Sequence, residues 1–157
     1  MSDAAADGQF DWDAWCQMRR AIFERQPCLN SYLGLDLIQA GPGWARLRLA
    51  LRPDVMNPFG AAHGGSTSAL IDSAAGHAVA AWCAPESDRI MGTIDMQVHF
   101  LERAQGRELI AEARVVRGGK ALAVASVDVR NDGGVLVAMG TATYRLGAPG
   151  TPRRNED

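Results

Sequence analysis

The feature that most limits how this chain can fold is a segment from Gly64 to Trp82 that is apolar on almost every side. It is dense in alanine and also contains Leu70, Ile71 and Val79, a composition that predicts a helix. A helix without a polar face cannot lie on a protein surface, so other elements have to surround it. The rest of the chain must therefore supply a cover for one central helix.

Strand-like alternation of apolar and polar residues flanks this helix on both sides. Before it, runs at 33–37 and 45–51 are joined by a Gly-Pro-Gly turn and predict a hairpin. Four further runs follow it, at residues 94–100, 107–117, 121–131 and 134–146. Because such short turns join antiparallel strands, we predict an α+β fold in which a six-stranded antiparallel sheet wraps around the central helix. Helical spacing over 12–25 predicts an extra N-terminal helix.

The length of the chain limits the number of domains. Its 157 residues can bury one core without support from metals or disulfides, and two domains are not expected. We predict a single domain over residues 11–146. Residues 1–10 are small and polar, and residues 147–157 are rich in proline, glycine and charge, so we expect both ends to be flexible.

Charge and cysteine content argue against several classes of function. A formal net charge of −2 offers no excess of basic groups for a nucleic acid, and no segment approaches the ~20 apolar residues needed to cross a bilayer. Cys16, Cys28 and Cys83 are an odd number without C-x-x-C spacing, which indicates free thiols in a reducing compartment. We therefore expect a cytoplasmic protein that binds neither nucleic acid nor membrane.

A glycine-rich loop leads into the central helix, with the sequence NPFGAAHGGSTSALID over residues 57–72. If the helix begins at or just after His63, the N–H of Gly64 is one of the first four donors that have no partner inside the helix. Such a donor, assisted by the helix dipole, suits a carbonyl oxygen that gains negative charge, as in an ester or thioester under attack. The plainer interpretation is that Gly64 and Gly65 permit a tight turn, and the two roles are compatible.

Asp72 is the only acidic residue between Asp54 and Glu86, and it lies within the apolar helix. A carboxylate that is buried there needs hydrogen-bond partners and could act as a general base or as a nucleophile. The plainer interpretation is that its side chain extends into solvent or bonds a neighbouring residue. Asp72 follows Gly64 by eight residues, which is about 12 Å along a helix, so one chain cannot bring both groups to the same carbonyl. Two antiparallel copies of the helix can do so, which predicts a homodimer with two shared sites.

The loop and helix together carry the spaced pattern N-x-x-G-x-x-H-G-G, followed by an aspartate. Its members are Asn57, Gly60, His63, Gly64, Gly65 and Asp72. The pattern resembles the motif of hotdog-fold acyl-CoA thioesterases of the PaaI type. The segments GTIDMQVHFL and RGGKALAVASVDVRNDGGVLVAMGTATYRL resemble strands of that family, so the similarity spans about residues 33–146. Two departures are Glu102-Arg103-Ala104, in place of a proline-containing turn, and Asp72, where many relatives carry glutamate.

The resemblance implies a hotdog fold, dimers with a continuous sheet, a dimer-of-dimers tetramer and sites between subunits. It also implies hydrolysis of an acyl- or aryl-acyl-CoA to free acid and CoA, without a metal or redox cofactor. By the same analogy, the N–H of Gly64 polarises the thioester carbonyl, and Asp72 of the other subunit activates water or attacks directly. Asn57 then helps to position water or substrate, and Thr93 matches a hydroxyl position beside the carboxylate.

Several site residues also have plainer roles. A histidine at a helix start caps or braces a loop more often than it acts as a base, so for His63 we favour structure or substrate orientation. Asn57 precedes a proline and is a common turn former, and Thr93 is an ordinary strand residue. Coenzyme A needs cations for its phosphates, and the sequence offers candidates in or near turns, namely Arg89, Arg117 and Lys120.

Other chemistries have less support. His77 and His99 lack ligand spacing with the loop histidine, so we expect no metal site. The serines of the helix lack a nucleophile-elbow signature, and Cys83 has no histidine paired with it in the sequence. The main alternative function is a non-catalytic acyl-CoA-binding or sensor protein on the same fold, and the carboxylate of Asp72 favours catalysis over it. A hotdog hydratase is less favoured, because its usual Asp and His dyad is not evident.

Overall fold

The computed structural model describes residues 10–25, 27–84 and 89–148. The helices are α1 (Trp12–Arg25), α2 (Leu29–Leu33) and α3 (Gly64–Cys83). The strands are β1 (Leu35–Gly41), β2 (Trp44–Ala50), β3 (Ile90–Phe100), β4 (Glu108–Gly118), β5 (Leu122–Asn131) and β6 (Leu136–Leu146). A short 3-10 helix (Pro53–Val55) precedes the loop into α3.

The strands form one antiparallel sheet in the order β1-β2-β4-β5-β6-β3. All six strands contact α3, which confirms the prediction of an α+β fold with a sheet wrapped around a central helix. The inward-facing positions of the strands, such as Leu47, Leu109 and Val129, are fully buried with the helix. Burial of these apolar side chains is what holds the sheet in its curl.

The burial of α3 follows from its composition. Leu70, Ile71, Ala74 and Val79 have no accessible surface. After Gly64, the accessible positions of the first turns of α3 occur singly or in adjacent pairs on one face of the helix, and their side chains are small or polar. We call this set the small-residue stripe: Gly65, Ser68, Ala69, Asp72, Ser73 and Gly76. The sheet therefore leaves one narrow face of the helix open.

The two edges of the sheet differ in their cover. At the β1 edge, α1 packs on the strand, and the guanidinium of Arg20 donates to the carbonyls of Leu37 at 2.7 Å and Ile38 at 3.0 Å. At the other edge, β3 has a buried side chain only at Ile90, its first residue. A long edge strand presents unpaired N–H and C=O groups to any further strand that can pair with it.

Some predicted boundaries were wrong. Leu33 ends α2 instead of starting a strand, because Gly34 takes a left-handed conformation at φ 69° and caps the helix. The strand predicted from residue 94 begins at Ile90, with register shifts on either side of Thr93 that hide its alternation. The predicted domain over 11–146 with flexible ends stays a prediction, since residues 1–9 and 149–157 lie outside the described residues.

Candidate active site

The loop before α3 is held by bonds within itself and by the N–H of Ala62, which donates to the carbonyl of Ala104 at 2.8 Å. The backbone N–H of Asn57 donates to the carbonyl of Ala61 at 2.8 Å, and Gly60 lies between them at φ 74°. A residue with a Cβ is strained at that φ, so the tight return needs glycine. The N–H of His63 donates to the carbonyl of Val55 at 2.9 Å, which fixes the point at which the helix begins.

The side chain of Asn57 shapes the same loop. Its Oδ1 accepts from the backbone N–H groups of Phe59 at 2.9 Å and Ala61 at 3.2 Å, as in an Asx turn. The plainer role of a turn former is therefore present. No hydrogen bond of the side-chain amide nitrogen occurs in the described part of the chain, so that group can still donate to a substrate or water. A part for Asn57 in a reaction stays a prediction.

His63 is the N-cap residue of α3. Its backbone is extended, with φ −62° and ψ 139°, and its Nδ1 accepts from the N–H of Gly65 at 2.9 Å. The bond satisfies one of the donors that the first turn leaves open. An acceptor Nδ1 places the ring proton on Nε2 when the imidazole is neutral. The histidine thus braces the start of the helix, and a direct role in a reaction stays a prediction.

Gly64 is the first residue of α3, as the sequence predicts. Its N–H has no hydrogen-bond partner among residues 10–25, 27–84 and 89–148, so it remains available to an oxygen atom outside the chain. A Cβ built on Gly64 would lie 3.4 Å from Cζ of Phe100, so an aromatic ring at the end of β3 flanks this donor.

A cavity of about 510 Å³ opens beside Gly64. Its walls come from the loop, the first turn of α3, the end of β3 and the segment after it. The lining residues are Asn57, Phe59, Ala61, Ala62, Gly64, Thr67, Phe100, Glu102, Arg103, Ala104 and Val137. The guanidinium of Arg103 donates to the carbonyl of Phe59 at 2.6 Å and so ties two walls together. A mostly apolar wall with a free backbone donor at Gly64 suits an acyl group whose carbonyl oxygen lies at that donor.

Asp72 lies two turns further along α3, where strands from the other edge of the sheet reach the helix. The hydroxyl of Thr93, on β3, donates to Oδ1 of Asp72 at 2.7 Å. The hydroxyl of Tyr144, on β6, lies 2.8 Å from the same oxygen and 2.6 Å from the backbone carbonyl of Asp72. The carboxylate is therefore positioned by two hydroxyl groups on one of its oxygens.

The donor and the carboxylate are separated in one chain. Gly64 and Asp72 belong to the same uninterrupted helix, so their eight-residue spacing corresponds to about 12 Å along its axis. Asp72 does not line the cavity beside Gly64. A single copy of the chain therefore presents a free backbone donor with a cavity at one place and a carboxylate at another.

The three predicted phosphate-binding cations lie at the opposite end of α3. The guanidinium of Arg89 donates to the carbonyls of Gly147 and Lys120, both at 3.2 Å. Arg117 belongs to the end of β4, next to the turn that contains Lys120. These cations are thus grouped around the start of β3, away from Gly64 of the same chain.

Sequence reasoning missed Tyr144 and most of the cavity walls. Tyr144 lies on the buried face of β6, and its hydroxyl requires a partner once it is buried. That requirement was the available signal, but the sequence does not show that the partner is Asp72. Phe59 lies within the motif and Phe100 ends β3; both are exposed aromatic residues, and only the folded chain brings them to one cavity.

The chain is similar to proteins of one family. The model of the family described as Thioesterase superfamily matches residues 59–138. Human acyl-coenzyme A thioesterase 13 is 31% identical over 115 residues, and the match covers 72% of this chain and 80% of that protein. The medium/long-chain acyl-CoA thioesterase YigI of Salmonella typhimurium is 29% identical over 131 residues, with coverage of 75% and 84%.

Solved structures agree with these relatives. The PaaI protein of E. coli, from the phenylacetic acid degradation operon, superposes with a TM-score of 0.70 at 26% sequence identity. The superposition covers 87% of this chain and 95% of that one. The likeness therefore extends over most of the chain.

Proposed function

Because the chain belongs to the thioesterase superfamily and is a thioester hydrolase, we propose that it hydrolyses an acyl-CoA or aryl-acyl-CoA to the free acid and CoA. The predicted resemblance to hotdog-fold acyl-CoA thioesterases of the PaaI type is confirmed. Relatives that are named acyl-CoA thioesterases favour catalysis over the alternative of a non-catalytic sensor on the same fold. Among the relatives, the Salmonella enzyme is named for medium and long chains. A medium or long acyl chain is therefore a candidate substrate beside an aryl group.

The proposal is carried by one observation: an available N–H and a positioned carboxylate occur on one helix, about 12 Å apart. In the proposed reaction, the thioester carbonyl oxygen accepts from the N–H of Gly64, which stabilises the negative charge of the tetrahedral intermediate. Asp72 of a second copy either takes a proton from the attacking water or attacks the carbonyl carbon itself. If Asp72 activates water, the C–S bond breaks as the tetrahedral intermediate collapses to the free acid, and the CoA thiolate takes the proton that Asp72 removed from the water. If Asp72 attacks directly, loss of the C–S bond leaves an acyl-aspartyl anhydride and the CoA thiolate. Water then hydrolyses the anhydride to the free acid and Asp72, whose proton passes to the thiolate.

Two surfaces of the structure support the second copy. The edge strand β3 is exposed along almost its whole length and carries apolar side chains such as Ile94 and Phe100, which are 56% and 57% exposed. Pairing of two such edges would satisfy the open backbone groups and cover these side chains. The small-residue stripe lies beside that edge and leaves room for a second helix to approach closely. Antiparallel pairing would carry Gly64 of one copy toward Asp72 of the other.

The same pairing gives the cations a role. When two β3 strands pair antiparallel, the start of one lies beside the end of the other. Arg89 of one copy would then come close to the cavity flanked by Phe100 of its partner, with Lys120 and Arg117 nearby. We propose that these three cations bind the CoA phosphates from across the dimer interface.

The remaining features of the proposal follow from the chemistry. A backbone donor and a carboxylate supply charge stabilisation and proton transfer, so the reaction needs no metal or redox cofactor. A dimer-of-dimers tetramer and a cytoplasmic location stay predictions. None of the helices in the described ranges is both long and apolar enough to cross a membrane.

The test is release of CoA thiol from a panel of aryl-, short-, medium- and long-chain acyl-CoA substrates, with Asp72→Asn and Gly64→Pro as single variants. We expect each variant to lose activity by orders of magnitude. Heterodimers of the two variants, isolated through two different affinity tags, should regain one intact site out of two, or about half of the wild-type turnover. Heterodimers as inactive as their parents would refute the shared site, and unchanged turnover in Asp72→Asn would refute the role of the carboxylate.

A further inference from the structure

Tyr144 connects strand β6 to the carboxylate of Asp72 on α3. On β6 it pairs with Thr93 of β3 and with Ala123 of β5, and only 5% of its surface is accessible. From this buried position its hydroxyl reaches α3, where it meets both the carbonyl oxygen and Oδ1 of Asp72. The phenol has one proton for these two acceptors, which lie at 2.6 Å (carbonyl) and 2.8 Å (Oδ1), and a bond to the carboxylate is the charge-assisted one of the two.

The two oxygens of the Asp72 carboxylate have different surroundings. Oδ1 is contacted by the hydroxyls of Thr93 and Tyr144, whereas Oδ2 has no hydrogen bond to any described residue. A carboxylate held on one oxygen cannot rotate freely and presents the other oxygen in a fixed direction. We infer that Tyr144 is a positioning residue of the thioesterase site, which anchors Oδ1 with Thr93 so that Oδ2 acts on the substrate.

Gly76 is the residue that lets the phenol reach this position. It follows Asp72 by one helical turn, and a Cβ built on it would lie only 2.9 Å from the hydroxyl oxygen of Tyr144. Any larger residue at this position would push the hydroxyl outward. Within a helix glycine is less favourable than alanine, so the close approach has a stability cost.

The environment keeps the phenol in its donor form. Burial raises the pKa of Tyr144 above its ordinary value, and the adjacent charge of Asp72 adds to the rise. The group is therefore protonated throughout the pH range in which an ionised Asp72 would act. It can donate a hydrogen bond to the carboxylate and does not compete with it as a base.

This inference rests on the proposed function, and its first test is Tyr144→Phe, which removes the hydroxyl and keeps the ring. The loss of one hydrogen bond to a charged group corresponds to a decrease in rate of about 10- to 100-fold. We therefore expect kcat to fall by this factor while KM stays unchanged. The matched control is Tyr32→Phe, because Tyr32 is 70% exposed and its hydroxyl bonds no described residue. An unchanged kcat in Tyr144→Phe would overturn the inference.

A second variant separates positioning from stability. Gly76→Ala leaves the phenol chemically intact but displaces it, while alanine favours the helix. We expect a similar loss of kcat, with only a small change of melting temperature, because the better helix propensity of alanine offsets part of the cost of displacing the buried hydroxyl. Wild-type kcat in this variant would show that the position of the hydroxyl is unimportant, and would count against the inference even if Tyr144→Phe failed to fold.

Heterodimers test which half of the site Tyr144 serves. If it acts through Asp72 of its own chain, a Tyr144→Phe chain paired with a Gly64→Pro chain contains one intact site. A heterodimer of a Tyr144→Phe chain and an Asp72→Asn chain contains no intact site, so its activity should stay low. Equal recovery in both pairings would overturn the assignment. Failure of the shared site itself would appear separately, as a lack of recovery when Asp72→Asn is paired with Gly64→Pro.

Discussion

The first turn of α3 and the middle of the same helix are held in different ways. The first turn is capped by a near neighbour, since Nδ1 of His63 accepts from the N–H of Gly65, and its loop combines local bonds with one backbone hydrogen bond from Ala62 to Ala104. The middle depends on residues far away in sequence, since Thr93 and Tyr144 reach it from two strands. The functional group of the first turn is the backbone N–H of Gly64. The functional group of the middle is the side chain of Asp72, which Thr93 and Tyr144 orient.

This difference decides how each half can be disturbed. A backbone donor can be removed only by proline or by moving the helix, whereas a positioned carboxylate loses its function through any of several distant changes. The first turn should therefore tolerate most substitutions, and the middle should be sensitive to its surroundings. The three predictions below test this contrast.

The largest effect is expected from Gly64→Pro. Proline is favoured at the first position of a helix, and His63 before it already has the extended backbone that proline requires. The N–H is lost without damage to α3, so kcat/KM should fall by at least ~10²-fold while the melting temperature changes little. Steady-state kinetics and thermal unfolding measure the two quantities.

The matched control for this variant is Gly64→Ala, which keeps the N–H. Its Cβ would meet Phe100 at 3.4 Å, close to an ordinary contact, so we expect most of the activity to remain. If alanine and proline caused equal losses, the glycine would serve to leave space, and the role of the backbone donor would be wrong.

A medium effect is expected from pH, through His77 in the second half of α3. Burial, with a smaller contribution from Arg19, lowers the pKa of His77 to about 4, and its Nδ1 lies 2.7 Å from the carbonyl of Ser73. The ring of Phe23 on α1 packs against it at 5.3 Å between centroids. The imidazole is therefore neutral in the fold and ordered by tertiary contacts.

The sign of the pH effect follows from this lowered pKa. Between pH 6.5 and 4 the unfolded chain binds a proton that the folded chain does not, so the free energy of unfolding should fall by about 3 kcal/mol as the pH falls through this range. Urea unfolding at several pH values measures the slope. The slope should decrease in His77→Leu and persist in His99→Gln, since His99 is an exposed residue of β3. An identical slope in both variants would contradict the prediction.

The contrast also explains what the sequence could predict. The start of α3 at Gly64, its apolar surroundings and most strands follow from local spacing, so they could be predicted. The short helix α2 could not be predicted, because Leu33 continues the alternating pattern of the following strand. The helix ends there because Gly34 takes a left-handed conformation and Arg52 donates to the carbonyls of Tyr32 and Leu33.

The site divides in the same way. Gly64 and Asp72 belong to one local motif, and their separation along a helix could be derived from spacing alone. Tyr144 lies 72 residues after Asp72, and its contact depends on the register of β6 against β3 and on the absence of a side chain at Gly76. The alternation of apolar and polar residues within one strand does not show how that strand is aligned with its neighbour, so the register of β6 against β3 could not be predicted.

The smallest effect is expected from the cap of the first turn. His63→Ala removes the acceptor for the N–H of Gly65 and should lower the free energy of unfolding by about 1 kcal/mol, as measured in urea. His63→Asn should recover most of this loss, because asparagine is among the best N-cap residues and supplies an oxygen acceptor. If the histidine serves only as a cap, kcat in the asparagine variant stays near wild type. A stable asparagine variant with a large loss of kcat would instead place the imidazole in the reaction, and the first turn would then depend on a side chain as the middle does.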